Sequence, residues 1–187
     1  MPGIMTRLML ALALSASVGC ASGPSEPSRP QMDALFLRLR TTHDRSEAEM
    51  LEVTIRHAWA HSGRDNVDRQ MEQAATAIHA GDYDQALDTL DKVVAADPGF
   101  VEGWDQRAMV HYLRDEYTDA VSDIEHVLIL EPRHFGALAA LGQVMLALDD
   151  KKAALEAFRA ALEINPYLDD VRDQAEELED EVAGTPI

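Results

Sequence analysis

The sequence predicts an all-α protein in which paired helices stack into a solenoid. Pro98, Pro132 and Pro166 fall 34 residues apart, and each lies twelve residues after an alanine, Ala86, Ala120 or Ala154. The chain therefore repeats itself with a helical-solenoid period. Apolar residues follow each alanine at the fourth and seventh positions: Leu90 and Val93, Ile124 and Val127, Phe158 and Ala161. That spacing marks one face of a helix. No useful length of the chain alternates apolar with polar residues, and a composition with 5% aromatics and many alanines suits layered helices.

Residues 1–19 read as an export signal. Arg7 supplies a positive start, Leu8 to Leu14 is wholly apolar, and small residues follow. This apolar core is about half of what a membrane span requires, so cleavage is expected rather than anchoring. Ser17-Val18-Gly19-Cys20 resembles the bacterial lipobox, in which the cysteine is lipidated and becomes the first mature residue. A lipobox usually carries leucine where Ser17 stands, and Ser17 also suits an ordinary signal peptidase, which would release a periplasmic protein. Cys20 is the only cysteine, so an internal disulfide is impossible and lipidation gives this thiol a role. Residues 20–30, with Ser, Gly and Pro, read as a flexible tether. Ala21 after the cysteine resembles lipoproteins sorted to the outer membrane.

Residues 31–66 read as an irregular helical hairpin. Ser28, Pro30 and Gln31 form a helix start, followed by Leu35, Phe36 and Leu39. Ser46 to Glu49 reads as a second capping box, opening a helix with Leu51, Ile55, Ala58 and Trp59 on one face. Ser62-Gly63-Arg64-Asp65 makes the break before the repeats. The hairpin is expected either to cover the first repeat or to be a binding element of its own.

The repeats share Gly81-Asp82-Tyr83-Asp84-Gln85-Ala86-Leu87, Asp115-Glu116-Tyr117-Thr118-Asp119-Ala120-Val121 and Asp149-Asp150-Lys151-Lys152-Ala153-Ala154-Leu155. Ala86, Ala120 and Ala154 sit where a larger side chain would push the second helix from its partner. Proline then stops each helix, because it lacks an amide donor and restricts the residue before it. This pattern resembles the tetratricopeptide repeat. The resemblance implies a right-handed superhelix of three helix-turn-helix repeats, 67–100, 101–134 and 135–168. Trp104 fills the aromatic fourth position, and Ala74, Ala108 and Gly142 the small eighth. Gln70, Gln73 and Arg107 depart from the family pattern, Gln73 and Arg107 standing where leucine is usual.

Residues 169–187 read as a closing helix and tail. Val171, Ala175, Leu178 and Val182 form one apolar stripe, while Asp and Glu fill the other faces. A solenoid's last repeat needs such a cover.

The formal charge is −18, and removing residues 1–19 takes away Arg7 and no acid. Without clustered Lys or Arg, nucleic-acid binding is excluded, and attachment to anionic lipid would rest on acyl chains alone. His57 and His61 stand one helical turn apart, but Ala58 occupies the place where a zinc protease needs glutamate. The other histidines, His43, His79, His111, His126 and His134, lack ligand spacing. With no phosphate loop, GxSxG elbow or core cysteine nucleophile, the sequence points to no enzyme, no metal and no cofactor.

The resemblance implies a concave groove built by the first helix of each repeat. By alignment it includes Met71, Ala75, Ile78, Glu102, Asp105, Met109, Tyr112, Leu113, Gln143 and Leu146. These positions are apolar with an acidic edge and lack the Lys, Arg and Asn that hold acidic peptide termini in some chaperone-binding members. The expected ligand is an amphipathic helix or extended peptide with apolar anchors and basic residues facing Glu102 and Asp105. The chain is thus expected to be a non-catalytic adaptor of the bacterial cell envelope that holds a protein or peptide partner. Two alternatives remain: a structural module dimerising through the hairpin, and a metal-dependent hydrolase using His57 and His61.

Overall fold

The computed structural model describes residues 28–184, so the export signal and Cys20 lie outside the described residues. The described residues form nine helices and no strand: α1 (Arg29–Thr41), α2 (Arg45–Trp59), α3 (Asp65–Ala80), α4 (Tyr83–Ala96), α5 (Val101–Leu113), α6 (Tyr117–Leu130), α7 (Phe135–Ala147), α8 (Lys151–Ile164) and α9 (Asp169–Gly184). None of them is long and apolar enough to cross a membrane. Three hairpins, α3 with α4, α5 with α6 and α7 with α8, pack one on the next, and α9 closes the stack against α8.

The small residues lie where close packing demands them. Ala86, Ala120 and Ala154 are fully buried, as are Leu90, Val93, Val127, Phe158 and Ala161 on the same helix faces. Ala74 and Ala108 are buried on the facing helices. Gly142 is the most constrained: an added Cβ would lie 2.2 Å from the Phe158 ring. The helices before the three prolines end at Ala96, Leu130 and Ile164, each two residues short of the proline.

The turns inside the repeats also match one another. Gly81, Asp115 and Asp149 hold φ of +73°, +60° and +61° at positions 34 residues apart, the left-handed conformation that closes a helix. The next residue in each repeat donates its N–H to a carbonyl five residues back, Asp82 to Ala77, Glu116 to His111 and Asp150 to Met145. Aspartate tolerates this backbone better than most residues, so glycine is needed in none of the three.

Arg107, which stands where leucine is usual, ties three helices together. Its guanidinium donates two bonds of 2.7 Å to Asp123 on α6 and one of 2.7 Å to Asp91 on α4. Asp123 is buried, so a bidentate ion pair replaces an apolar contact here.

The N-terminal hairpin is placed differently from the expected cover of the first repeat. It runs along the edge where the inter-repeat turns emerge. Phe36, Leu39, Ile55 and Trp59 form one core with Phe135, joined by Ile164, Tyr167 and Leu168. Polar links fix its course: Arg64 Nη1 to Ala96 O at 2.8 Å, Arg133 Nη1 to Asp33 at 2.7 Å, Asn165 Nδ2 to Glu52 at 2.9 Å, and Tyr167 Oη to Thr42 O at 2.7 Å. Arg45 also pairs with Asp169. The hairpin's apolar stripe is thus buried against the start of α7, the end of α8 and the turn that follows it.

The start of α1 is as expected, with the Ser28 N–H donating to Gln31 Oε1 at 2.7 Å. The start of α2 is not. Its cap is Asp44, which accepts from the amides of Ser46 and Glu47, while the Glu47 carboxylate bonds Arg38 and Thr42. At the other end, Val171, Ala175 and Leu178 bury against α8, and part of the acidic face pairs with α8 through Lys151–Glu181 and Arg159–Glu179.

Candidate functional site

The first helices of the repeats leave an open trough between α5, α7 and α9. It encloses about 430 Å³ and is lined by Met109, Tyr112, Ala139, Gln143, Leu168 and Val171, with Asp105 and Arg56 at one end. The helical period explains the lining on α5, since Asp105, Met109 and Tyr112 recur at four and three residues on one face. On α7, the small residues Gly136 and Ala139 keep the floor low. Gln143 Nε2 donates to Gln174 Oε1 at 2.6 Å and ties the trough's α9 side together.

Of the residues expected in the groove, Asp105, Met109, Tyr112 and Gln143 line this trough, and Glu102 lies at its α2 end. Met71 and Ile78 instead pack into the α3–α4 core, and Leu146 into the core shared by α7, α8 and α9. They are interhelical residues because the trough is centred on the second and third repeats. Ala75 and Leu113 are exposed outside its lining.

Two features at the α2 end come from outside the repeats or from a residue with no motif. Arg56 reaches in from α2, its guanidinium 5.0 Å above the Phe135 ring and its Nε 2.9 Å from Glu52. Gly136 lies beside it: an added Cβ there would be in ordinary contact, 3.6 Å, with Arg56 Nη1. The expectation of a trough without a cation therefore holds for the aligned repeat positions only. His134 is the second feature. It is 2% exposed and caps α7, its Nδ1 accepting the Ala137 N–H at 2.9 Å. The imidazole stacks on Trp59 at 4.0 Å.

Burial sets the electrostatics of this end. Asp105 is pushed up to about 7 by loss of water and secondarily by the Glu102 charge, which Arg56 only partly offsets. Burial also raises Glu102, against the pull of its bond from Gln106. Burial, with the nearby Arg56 charge, lowers His134 to about 3, so it is neutral at physiological pH. Because its Nδ1 accepts a backbone amide, the hydrogen sits on Nε2, which has no acceptor.

Glu102, Asp105 and His134 lie close enough to suggest a cation site, as do His111, Glu116 and Asp119. The first group is poorly suited to a metal: His134 Nδ1 is occupied, Nε2 is protonated, and Arg56 brings positive charge beside it. In the second, Glu116 already receives His111 and Arg114, each at 2.8 Å. The His57 and His61 rings lie 4.4 Å apart, tilted by 31°, and join no third ligand among the described residues.

The tetratricopeptide repeat family matches residues 71–125 and 106–169, together more than half of the chain. The chain belongs to the tetratricopeptide repeat family. A TPR repeat-containing protein of Rhizobium etli is 32% identical over 160 residues, covering 86% of this chain and 78% of that protein. In fold, the chain is similar to the first TPR of Spaghetti (RPAP3) bound to the HSP90 peptide SRMEEVD, with a TM-score of 0.61, 21% identity and coverage of 63% of this chain and 94% of that one. It is also similar to the Sgt2 TPR domain from Aspergillus fumigatus, with a TM-score of 0.60, 20% identity and coverage of 66% and 87%. Tetratricopeptide repeats generally mediate protein–protein interaction. In this tetratricopeptide repeat protein, Trp104 at the aromatic fourth position donates to Pro98 O at 3.0 Å and stacks on His126 at 4.3 Å, holding the turn between the first two repeats.

Proposed function

We propose that this chain is a non-catalytic adaptor of the bacterial cell envelope that holds a segment of a partner protein in the trough between α5, α7 and α9. The observation that carries the reading is the trough itself: an open, mainly apolar channel flanked by Met109 and Tyr112, with Asp105 and Arg56 at one end and Gln143 on its α9 side. Methionine adapts to differing side chains, and tyrosine offers a large apolar face with a polar tip. The volume suits one amphipathic segment rather than a long ligand.

Export rests on the leader at residues 1–19, and attachment on lipidation of Cys20, which would place the protein at the outer membrane facing the periplasm. Dimerisation through the hairpin is the weaker reading, because Trp59 is already buried within the monomer. A photo-crosslinking residue at Tyr112 in bacterial cells, followed by mass spectrometry, tests the adaptor reading; recovery of no envelope protein above background overturns it. Radiolabelled palmitate tests the anchor, since Cys20→Ala should abolish incorporation.

A further inference from the structure

The α2 end of the trough holds more negative charge than positive. Glu52, Glu102 and Asp105 gather around one guanidinium, that of Arg56, whose Nε is engaged by Glu52 at 2.9 Å. Among the described residues neither Glu102 nor Asp105 has a lysine or arginine within 4.0 Å. Glu102 accepts from Gln106 at 2.8 Å, and Asp105 meets only the neutral His134 ring, at 3.8 Å. His134, at the same pocket, is buried with its Nε2–H unpartnered, so it neutralises neither carboxylate. On α2, one turn before Arg56, Val53 is 67% accessible and lines the same pocket, so an apolar contact adjoins the acidic pair.

We infer that the pocket between α2, α5 and the start of α7 seats one lysine or arginine side chain of an amphipathic partner helix, with Glu102 and Asp105 as its counter-charges and Arg56 moving aside to admit it. The inference rests on the adaptor reading and names the chemistry of its partner. The hairpin then acts as a fourth wall of the binding site, with Val53 contacting the apolar side of the incoming helix.

The seat has a proton linkage. The groups facing Asp105 are Glu102 and Gln106 on α5, His134 at the head of α7, and Arg56 with Glu52 and His57 on α2. Asp105 holds a proton below about pH 7 in the free protein. A cation binds the ionised form, so binding expels that proton, and affinity falls as pH drops below 7, by up to about tenfold per unit for a single group.

The test uses the purified protein and a fluorescein-labelled synthetic helix of about five turns, leucine on one face and lysine on the other, at physiological salt. A counterpart carries glutamate in place of lysine. The lysine helix should bind, weaken from about pH 8 to about pH 5.5, and lose that dependence with Asp105→Asn. Glu102→Gln should weaken binding about tenfold, whereas the α9 surface changes Glu176→Gln and Glu177→Gln should leave both affinity and pH dependence intact. Circular dichroism verifies that each variant is folded. Equal binding of the glutamate helix, equal loss in the α9 variants, a pH dependence surviving Asp105→Asn, or no binding of the lysine helix would overturn the seat. Crosslinks from Tyr112 that persist after such a failure would leave the adaptor reading standing.

Discussion

The indole of Trp59 stacks on the imidazole of His134 at 4.0 Å, with 27° between their planes, although 75 positions separate them in the chain. This contact latches the N-terminal hairpin to the head of α7. Removing a buried tryptophan costs about 3–5 kcal/mol where the site cannot collapse. Trp59→Ala should therefore release α1 and α2, giving protease cleavage near residues 42–44 while α3–α9 stays protected in hydrogen exchange. Unchanged protection of α1 and α2 would mean the latch lies elsewhere.

Gly142→Ala opposes two effects. Alanine favours the helix by about 1 kcal/mol over glycine. The new Cβ would stand 2.2 Å from the fully buried Phe158 ring, and overpacking of this kind costs about 1–3 kcal/mol. At that separation the clash wins, so urea denaturation should show a net loss of up to about 2 kcal/mol. In a Phe158→Leu background the same substitution should cost much less, because the ring it strikes is gone.

Arg107→Ala should cost about 3 kcal/mol, near the low end for breaking a buried pair because Arg107 retains 18% exposure. The loss arises from leaving the Asp123 carboxylate buried without its counter-charge. Arg107→Leu combined with Asp123→Ala should recover most of the loss, since leucine restores the apolar contact. Thermal unfolding of the two single variants and the double variant measures the coupling.

Asp105 and His134 give opposed pH dependences. Asp105 has a folded pKa near 7 against an ordinary 3.8, so its contribution is fully present below 3.8 and is lost as pH rises towards 7. His134 has a folded pKa near 3 against 6.5, so its contribution is present above 6.5 and is lost as pH falls towards 3. Between about pH 4 and 6.5 the two slopes cancel. Asp105→Asn removes one of them, so the variant should gain stability over the parent as pH rises from 4 to 7, by at most about 1.4 kcal/mol per unit. Chemical denaturation of both proteins across that range checks the sign.

The repeat frame was legible because each of its signals is local. Ala86, Ala120 and Ala154 mark close helix contacts, and Pro98, Pro132 and Pro166 mark helix ends, wherever the rest of the chain lies. The hairpin's seat was not legible, because Trp59 meets partners far along the sequence and no period relates them. His134 escaped notice because caps are usually Ser, Thr, Asp or Asn. Asp44 did carry a readable signal, an acid three residues before Glu47, which competed with the pattern beginning at Ser46. Within the trough, alignment located Asp105, Met109, Tyr112 and Gln143, but Arg56 enters from outside the aligned region.

Arrays of this kind ordinarily come apart one unit at a time from a free end, like a zip. Here the bonds from Asp33 to Arg133, Glu52 to Asn165 and Thr42 to Tyr167 splint distant turns together. The earliest-made helices thus have no berth until the last full hairpin has emerged from the ribosome, and the finished coil is braced against stretching between the turns that carry Arg133 and Asn165.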